Sequence, residues 1–163
     1  MNEQAAKVIT TLKDRTLTLA VAESLTGGLI GATLTSVPGS SAVFLGGVIS
    51  YATRLKTDLL DIGAETIRQH TVVSEEVAIA MAAGLQQKTD ADWVIAVTGV
   101  AGPDPQDGHA PGEVWVCVVG PRTPSVPFVP HVQQFQFEGD REAVRAQTVD
   151  AAFGMLLRLV SPV

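Results

Sequence analysis

The six residues from Trp93 to Thr98 form a continuous, largely apolar run. A run of this length without alternation of apolar and polar residues is typical of a β-strand buried on both faces of its sheet. Such a strand needs helices on both sides, because each face must be covered by other parts of the chain. The pattern therefore favours an α/β fold over an all-β or all-α one.

The other hydrophobic patterns alternate between helical and extended segments. Helical spacing of apolar residues predicts helices at 3–14, from a glycine turn to residue 34, and at 54–62, 74–87 and 141–159. Short apolar or β-branched runs predict strands at 17–22, 43–52, 113–119 and 131–137. This order predicts one domain over residues 1–163, a three-layer α/β/α sandwich around a mixed, mostly parallel sheet of five or six strands.

The composition excludes a disordered chain and disfavours nucleic acid as a partner. Of the 163 residues, 46% are hydrophobic and 17% are charged, which is far from the composition of disordered proteins. The 17 acidic and 11 basic residues give a net charge of −6, which repels phosphate backbones. A small anionic ligand remains compatible with this charge, because a few local cations or a helix N-terminus can hold one phosphate.

The sequence predicts a cytoplasmic protein with no membrane partner, no metal and no cofactor. No run approaches 18 apolar residues, and the start of the chain alternates charged with aliphatic residues. Cys117 lies in an apolar run, so we expect it in the core. The three histidines, His70, His109 and His131, have no metal-ligand spacing.

The first candidate site is the loop AESLTGG at residues 22–28, directly after a predicted strand. Ligands of open α/β sheets bind beyond the carboxyl ends of the strands, where Ser24 lies. Gly27 and Gly28 allow the backbone to approach a ligand, and the free N–H groups of the next helix can hold an oxyanion or a phosphate. Alternatively, Ser24 or Thr26 simply caps that helix.

The second loop, YATRLK, contains Tyr51 and Lys56 between a predicted strand and a helix. Across such a junction both side chains can turn toward one cleft. An amphipathic tyrosine at a strand end and a lysine on a helix surface are also ordinary structural features. The sequence leaves both interpretations open.

Two further segments carry residues suited to ligand binding. In TGVAGPD, at residues 98–104, Gly99 and Gly102 allow close approach of the backbone, although turn formation alone explains them. Arg141 and Arg145 lie four residues apart on a predicted helix and can bind a phosphate or carboxylate. They can equally pair with neighbouring acidic residues.

A serine nucleophile in this chain requires a lysine base, because no histidine is suitably placed in the motifs. With a pKa near 10.4, only about one lysine in a few thousand is neutral at pH 7. A working base needs a pKa of roughly 7 to 8, which burial or nearby cations provide. Such a site must therefore be partly shielded from water.

The three loops, with PGEVW at 111–115 and GDREAVRAQ at 139–147, resemble the C-terminal domain of the CinA family of competence/damage-inducible proteins. That domain also occurs alone as nicotinamide-nucleotide amidase. The five motifs occur in order over nearly the whole chain. One departure is Leu25, where many members have cysteine beside the serine.

The resemblance implies a metal-independent hydrolase that converts nicotinamide mononucleotide to nicotinate mononucleotide and ammonia. It implies that Ser24 is the nucleophile, Lys56 the base and Tyr51 an assisting residue. Glycine turns and an arginine would hold the substrate phosphate and the developing oxyanion, with their division of labour open. The residues concerned are Thr26, Gly27, Gly28, Thr98, Gly99, Ala101, Gly102, Arg141 and Arg145.

A competing hypothesis is a non-catalytic nucleotide-binding module that acts through a partner. The presence of Ser24 together with Tyr51 and Lys56 favours the enzyme, because a pure binding protein has no need of a base. The apolar composition and the glycine-rich second strand predict a homo-oligomer, such as a dimer.

Overall fold

The computed structural model describes residues 2–160 and shows a five-stranded sheet with helices on both faces. The strands are β1 (Leu19–Glu23), β2 (Phe44–Ile49), β3 (Trp93–Gly99), β4 (Glu113–Val119) and β5 (Pro130–Gln136). The α-helices are α1 (Glu3–Asp14), α2 (Leu29–Thr35), α3 (Thr53–Leu60), α4 (Ala64–His70), α5 (Glu75–Thr89) and α6 (Arg141–Val160).

The strand order is β2-β1-β3-β4-β5. Strands β2, β1 and β3 are parallel, whereas β4 pairs antiparallel with both β3 and β5. Four of the five strands therefore point the same way, and the prediction of a mixed, mostly parallel sheet is confirmed. The central strand β3 is buried at every position from Trp93 to Thr98, as its apolar run predicts.

Helices α1, α2 and α6 cover one face of the sheet, and α5 covers the other with α3 and α4 packed beside it. Phe153 and Leu156 of α6 are among the large buried side chains of the first layer. Met81 and Leu85 of α5 are among the large buried side chains of the second layer. Cys117 is buried as expected, and burial raises the pKa of its thiol to about 12.

Helix α4 has no counterpart in the sequence-based prediction. It is seven residues long and has no buried residue, with Ile67 only half-buried. A helix this short cannot show a repeating apolar face, so periodicity alone does not reveal it. Helix α5 begins as predicted, because the Ser74 hydroxyl accepts a hydrogen bond from the Val77 amide.

Strand β2 lies at an edge of the sheet and exposes two large apolar side chains, Leu45 and Ile49. The predicted homo-oligomer stays a prediction, which the mass of the protein in solution can test. Among the helices within residues 2–160, none combines the length and apolar character that crossing a bilayer requires.

The parallel strands bring three loops to one edge of the sheet. The chain leaves β1 at Glu23, β2 at Ile49 and β3 at Gly99, and all three carboxyl ends point to the same edge. The antiparallel strand β4 begins at that edge with Glu113. The fold therefore places the first, second and third candidate loops next to one another.

Candidate active site

A cleft of about 600 Å³ opens at the carboxyl edge of the sheet. This volume suits a small organic ligand. Its walls come from all three candidate loops and from the start of α6. The lining residues that matter below are Ser24, Leu25, Tyr51, Lys56, Val72, Thr98, Gly99, Val100, Ala101, Gly102 and Arg141.

Lys56 and Ser24 meet at the base of this cleft. The Lys56 Nζ atom donates hydrogen bonds to Ser24 Oγ at 3.0 Å and to the Ser50 carbonyl oxygen at 2.7 Å. The side chain of Lys56 points inward from α3, and the residue is only 1% exposed. Ser24 is 8% exposed, so the hydroxyl and the amine are both largely shielded from water.

Burial lowers the pKa of Lys56 from its usual 10.5 to about 8. The physical cause is desolvation, which disfavours the charged ammonium. At a pKa of about 8, roughly one molecule in ten holds a neutral amine at pH 7. The Ser50 carbonyl accepts a hydrogen bond from either form of the amine and so keeps the nitrogen oriented. Ser50 is a contributor that the sequence analysis did not identify.

Glu23 changes the interpretation of the loop after β1. Its buried carboxylate accepts hydrogen bonds from the amides of Gly28, Ile30 and Gly31, at 3.1, 3.0 and 2.9 Å. The expectation that the free N–H groups at the start of α2 hold an oxyanion or a phosphate is therefore wrong for these amides. The alternative that Ser24 or Thr26 caps the helix is wrong too, because the Glu23 carboxylate accepts these hydrogen bonds instead.

The signal for this role of Glu23 was present in the sequence. A carboxylate stands at the end of a strand, five residues before a glycine that starts a helix. Acidic side chains near helix N-termini are stabilising because they complement the unpaired amides and the helix dipole. The Glu23 carboxylate accepts from amides five to eight residues later in the chain. The usual rules for helix caps cover only contacts two or three residues away.

Residues Thr26, Gly27 and Gly28 form the turn itself and do not line the cleft. Gly27 and Gly28 have φ angles of +59° and +100°, which residues other than glycine rarely adopt. Arg145 does not line the cleft either, since its Nη2 atom donates to the Thr26 carbonyl oxygen at 2.8 Å. The placement of these four residues supports a role in shaping the serine turn rather than in contacting a ligand.

The amides of Leu25 and Thr26 follow the serine directly. Within residues 2–160 neither of these N–H groups donates to a backbone acceptor, whereas the next amide, of Gly27, donates to the Ser24 carbonyl at 3.0 Å. Unpaired backbone amides beside a nucleophile are the usual components of an oxyanion hole. The Leu25 amide was not identified from the sequence, whereas Thr26 was among the residues expected to hold the substrate phosphate or the oxyanion.

Tyr51 and Arg141 lie together at the opening of the cleft. Arg141 donates from Nη2 to Tyr51 Oη at 2.6 Å and from Nη1 to the Gly102 carbonyl at 2.7 Å. Tyr51 is 56% exposed, and among the described residues its hydroxyl makes no hydrogen bond to Ser24 or Lys56. The guanidinium group has five N–H donors, so three remain for a ligand.

The loop after β3 forms the opposite wall, and Thr98, Gly99, Ala101 and Gly102 all line the cleft. The Thr98 hydroxyl donates to the Val72 carbonyl at 2.6 Å and is therefore occupied by protein. A Cβ atom on Gly99 would lie 2.6 Å from the Glu113 carbonyl oxygen. The close approach that this glycine allows is thus to β4 and not to a ligand.

In the part of the chain that the structure describes, no three histidine, cysteine, aspartate or glutamate residues are grouped as metal ligands would be.

Comparisons with known proteins agree on one family. The sequence profile of the CinA C-terminal domain matches residues 1–160. A CinA-like protein from Desulfotalea psychrophila is 45% identical over 148 residues, which are 90% of this chain and 34% of the relative. A putative competence-damage inducible protein from Limosilactobacillus fermentum is 50% identical over 112 residues, 69% of this chain and 27% of the relative. The chain thus spans about a third of the length of these curated relatives.

Solved structures show the same fold. A CinA superfamily protein from Klebsiella pneumoniae superposes with a TM-score of 0.89 at 33% identity, covering 98% of both chains. A competence/damage inducible protein from Agrobacterium tumefaciens gives a TM-score of 0.88 at 33% identity, covering 98% of this chain and 94% of that one.

Proposed function

Because this chain belongs to the family of the CinA C-terminal domain, and because its buried amine lies 3.0 Å from a serine hydroxyl, we propose that it is a serine amidohydrolase. The proposed reaction converts nicotinamide mononucleotide (NMN) and water to nicotinate mononucleotide and ammonia. The observation that carries the proposal is the contact between Lys56 Nζ and Ser24 Oγ, combined with the lowered pKa of the lysine.

In the first step the neutral amine of Lys56 accepts the proton of the Ser24 hydroxyl. The Ser24 oxygen forms a bond to the carboxamide carbon, and the carbonyl oxygen takes the negative charge. A pKa of about 8 suits this transfer, because the amine is neutral in a useful fraction of molecules and is still basic enough to hold the proton.

The amide of Leu25, which lines the cleft and donates to no acceptor within residues 2–160, is the group proposed to stabilise that negative charge. A single donor of this kind contributes about 3 to 4 kcal/mol to the stability of a tetrahedral intermediate. Glu23 and Arg145 contribute indirectly, because they hold the turn that carries this amide.

In the second step the protonated Lys56 returns its proton to the leaving nitrogen, and the carbon–nitrogen bond breaks to release ammonia. A water molecule then attacks the acyl-enzyme, with Lys56 accepting a proton from it. Lys56 passes that proton to Ser24 Oγ as the bond between this oxygen and the acyl carbon breaks, which releases the acid and regenerates the Ser24 hydroxyl. Lys56 is better placed than Tyr51 for these transfers, because Tyr51 Oη is bonded to Arg141.

Arg141 is the residue proposed to bind the phosphate of the substrate. It is the only arginine among the residues that line the cleft, and it lies at the opening, away from the buried amine. Arginine binds phosphate well because its planar group offers several fixed donors. Val72, Val100 and Ala101 also line the cleft and are proposed to supply apolar surface for the pyridine ring.

The test is ammonia release from NMN, with the acid product identified by mass. We expect turnover by the wild type and a loss of at least about a thousandfold in Ser24→Ala and Lys56→Ala. Ser41→Ala and Lys7→Ala are matched controls, because both residues are exposed and outside the cleft. Turnover close to that of the wild type in either active-site variant would refute the proposed roles.

A binding module gives a different result in the same samples. NMN would then raise the melting temperature of the wild type without being consumed, and Ser24→Ala would bind it equally well. That outcome would replace the amidase proposal.

A further inference from the structure

The loop between β3 and β4 supplies one whole wall of the cleft, from Val100 to Gln106. On the side of α6 it is held by Arg141, which donates to the Gly102 carbonyl. Its other end lies near the segment that joins α4 to α5. What holds this second end determines how far the wall stands from Ser24.

Three side chains connect the second end to the rest of the molecule. His109 Nδ1 lies 2.9 Å from Glu113 Oε2, and His109 Nε2 lies 2.8 Å from Thr71 Oγ1. Because a carboxylate only accepts hydrogen bonds, Nδ1 donates to Glu113. In the neutral ring Nε2 then accepts a hydrogen bond from the Thr71 hydroxyl, an assignment that follows from the partners.

The carboxylate at the base of this triad is itself fixed in place. Glu113 Oε1 accepts hydrogen bonds from Trp115 Nε1 at 3.3 Å and from Gln134 Nε2 at 3.1 Å. The side chains of His109 and Glu113 are 24% and 16% exposed, so water competes little for these bonds. The triad is therefore anchored on β4 and β5 at one end and reaches Thr71 at the other.

Thr71 sits in a backbone conformation that a β-branched residue rarely adopts, with φ of +63°. Such a conformation persists only where surrounding contacts impose it. The next residue, Val72, lines the cleft, and its carbonyl accepts the hydrogen bond from Thr98 at the end of β3. Displacement of Thr71 would therefore move a residue of the cleft as well as the loop that Thr71 holds.

We propose that Thr71, His109 and Glu113 form a positioning triad that fixes the wall of the cleft and so governs substrate binding rather than the chemical steps. The inference rests on the proposed function for its effect on NMN. The order of groups also matches a nucleophile, a base and an orienting acid. Neither Thr71 nor His109 lines the cleft, however, so the triad has no access to a substrate bound there.

The experiment compares Thr71→Val, which removes only the hydroxyl, with Thr71→Ser, which keeps it. Amide hydrogen exchange of residues 100–112 reports on the wall without requiring any activity. We expect faster exchange in Thr71→Val, together with a KM for NMN raised about five- to tenfold and a kcat within about twofold of the wild type. Thr71→Ser should restore the wild-type exchange rate and the wild-type KM.

His109→Gln provides a second variant, because it removes the bond to Glu113 and can still reach Thr71. It should resemble Thr71→Val, whereas His131→Gln, an exposed histidine on β5, should behave as the wild type. Unchanged exchange of residues 100–112 in both triad variants would overturn the proposal. A fall in kcat at constant KM would overturn it as well.

The two proposals fail in different ways. If the wild type releases no ammonia from NMN, the proposed function fails and hydrogen exchange alone decides whether the triad holds the wall. If the wild type is active but the triad variants differ from it in neither exchange nor KM, only the positioning role fails.

Discussion

Lys56 Nζ lies 3.0 Å from Ser24 Oγ although the two residues are 32 positions apart in the chain. Ser24 follows β1, whereas Lys56 lies on α3, which three residues separate from the end of the neighbouring parallel strand β2. The pairing therefore depends on β1 and β2 being adjacent and parallel. Burial of the amine in this position gives the lysine the lowered pKa that general-base catalysis requires.

The first prediction concerns the pH dependence of turnover. The active form has a neutral Lys56, so kcat/KM should rise about tenfold per pH unit below pH 8 and level off above it. The measurement is a rate profile for NMN between pH 6 and 9.5. A flat profile across pH 8 would contradict the role of Lys56 as the base, and Lys7→Ala should show the wild-type profile.

The second prediction is that Lys56 destabilises the fold while it serves the reaction. Its folded-state pKa of about 8 lies below the unfolded value of 10.5, so the unfolded chain binds more protons between these values. Stability of the wild type should therefore rise with pH from about 8 to 10.5. At pH 7 the buried charge opposes folding by about 3 kcal/mol, and the hydrogen bonds of the ammonium group offset part of this cost.

Lys56→Met removes that charge and keeps a flexible side chain. We expect it to raise the free energy of unfolding at pH 7 by about 1 to 2 kcal/mol. The gain is smaller than the full cost of the buried charge, because the Ser50 carbonyl loses its hydrogen-bond partner. Urea unfolding at pH 7 and pH 10 measures the effect, and the advantage of the variant should shrink at the higher pH. A variant less stable than the wild type at pH 7 would contradict the assigned desolvation.

The third prediction concerns Glu23. Glu23→Gln places an amide nitrogen where three backbone N–H groups need an acceptor, so we expect a loss of about 2 to 3 kcal/mol in stability. Because the turn carries Ser24, turnover should fall as well. Glu3→Gln, an exposed change in the first turn of α1, is the control and should cost well under 1 kcal/mol in urea unfolding. Equal effects of the two changes would mean that the buried contacts contribute nothing.

The fourth prediction compares two helical glycines. A Cβ atom on Gly84 of α5 would lie 2.1 Å from the Leu60 carbonyl at the end of α3. Gly84→Ala should therefore push away the helix that carries Lys56, reducing stability by at least about 2 kcal/mol and lowering kcat. Gly154→Ala on α6 meets nothing closer than 3.6 Å and should leave kcat unchanged while stabilising the helix by about 0.5 to 1 kcal/mol. Thermal unfolding and kcat for NMN together test this contrast.

The fifth prediction separates the two arginines of α6. Arg141→Ala should raise KM for NMN at least about tenfold more than KM for the corresponding nucleoside, which has no phosphate, and the rise shared by both substrates reports the lost bond to the Gly102 carbonyl. Arg145→Ala should instead lower kcat for both substrates, because Arg145 holds the Thr26 carbonyl in the serine turn. Arg122→Ala, in the exposed connector between β4 and β5, is the control. Identical losses on nucleotide and nucleoside for Arg141→Ala would rule out a phosphate contact.

The linear patterns were sufficient for most of the fold. The unbroken apolar run of β3 and the helical spacing in α1, α5 and α6 lie where the sequence places them, within a few residues. These elements are long or strongly patterned, so their hydrophobic period is readable without knowledge of their partners. Helix α4 was not predicted, because it is short and has no buried residue.

The candidate site could be predicted as a set of loops, but not as a set of contacts. The sequence named Ser24, Lys56, Tyr51 and Arg141, all of which line the cleft. It also named Thr26 and Arg145, which build the turn. It assigned oxyanion or phosphate binding to amides at the start of α2 that in fact donate to the Glu23 carboxylate. The bond from Arg145 to the Thr26 carbonyl depends on α6 lying beside the serine turn, and the spacing of residues along the chain does not encode such a neighbourhood.

The sequence by itself therefore determined the strands and every α-helix except α4, that the sheet is covered on both faces, and which loops carry reactive side chains, because these properties follow from periodicity and turn chemistry along the chain. Only the tertiary structure decided that Lys56 is buried against Ser24, that Glu23 occupies the start of α2, and that Arg141 rather than Arg145 faces the cleft. Distance and desolvation arise from the packing of elements that are far apart in the chain, and both are needed to turn an ordinary lysine into a base.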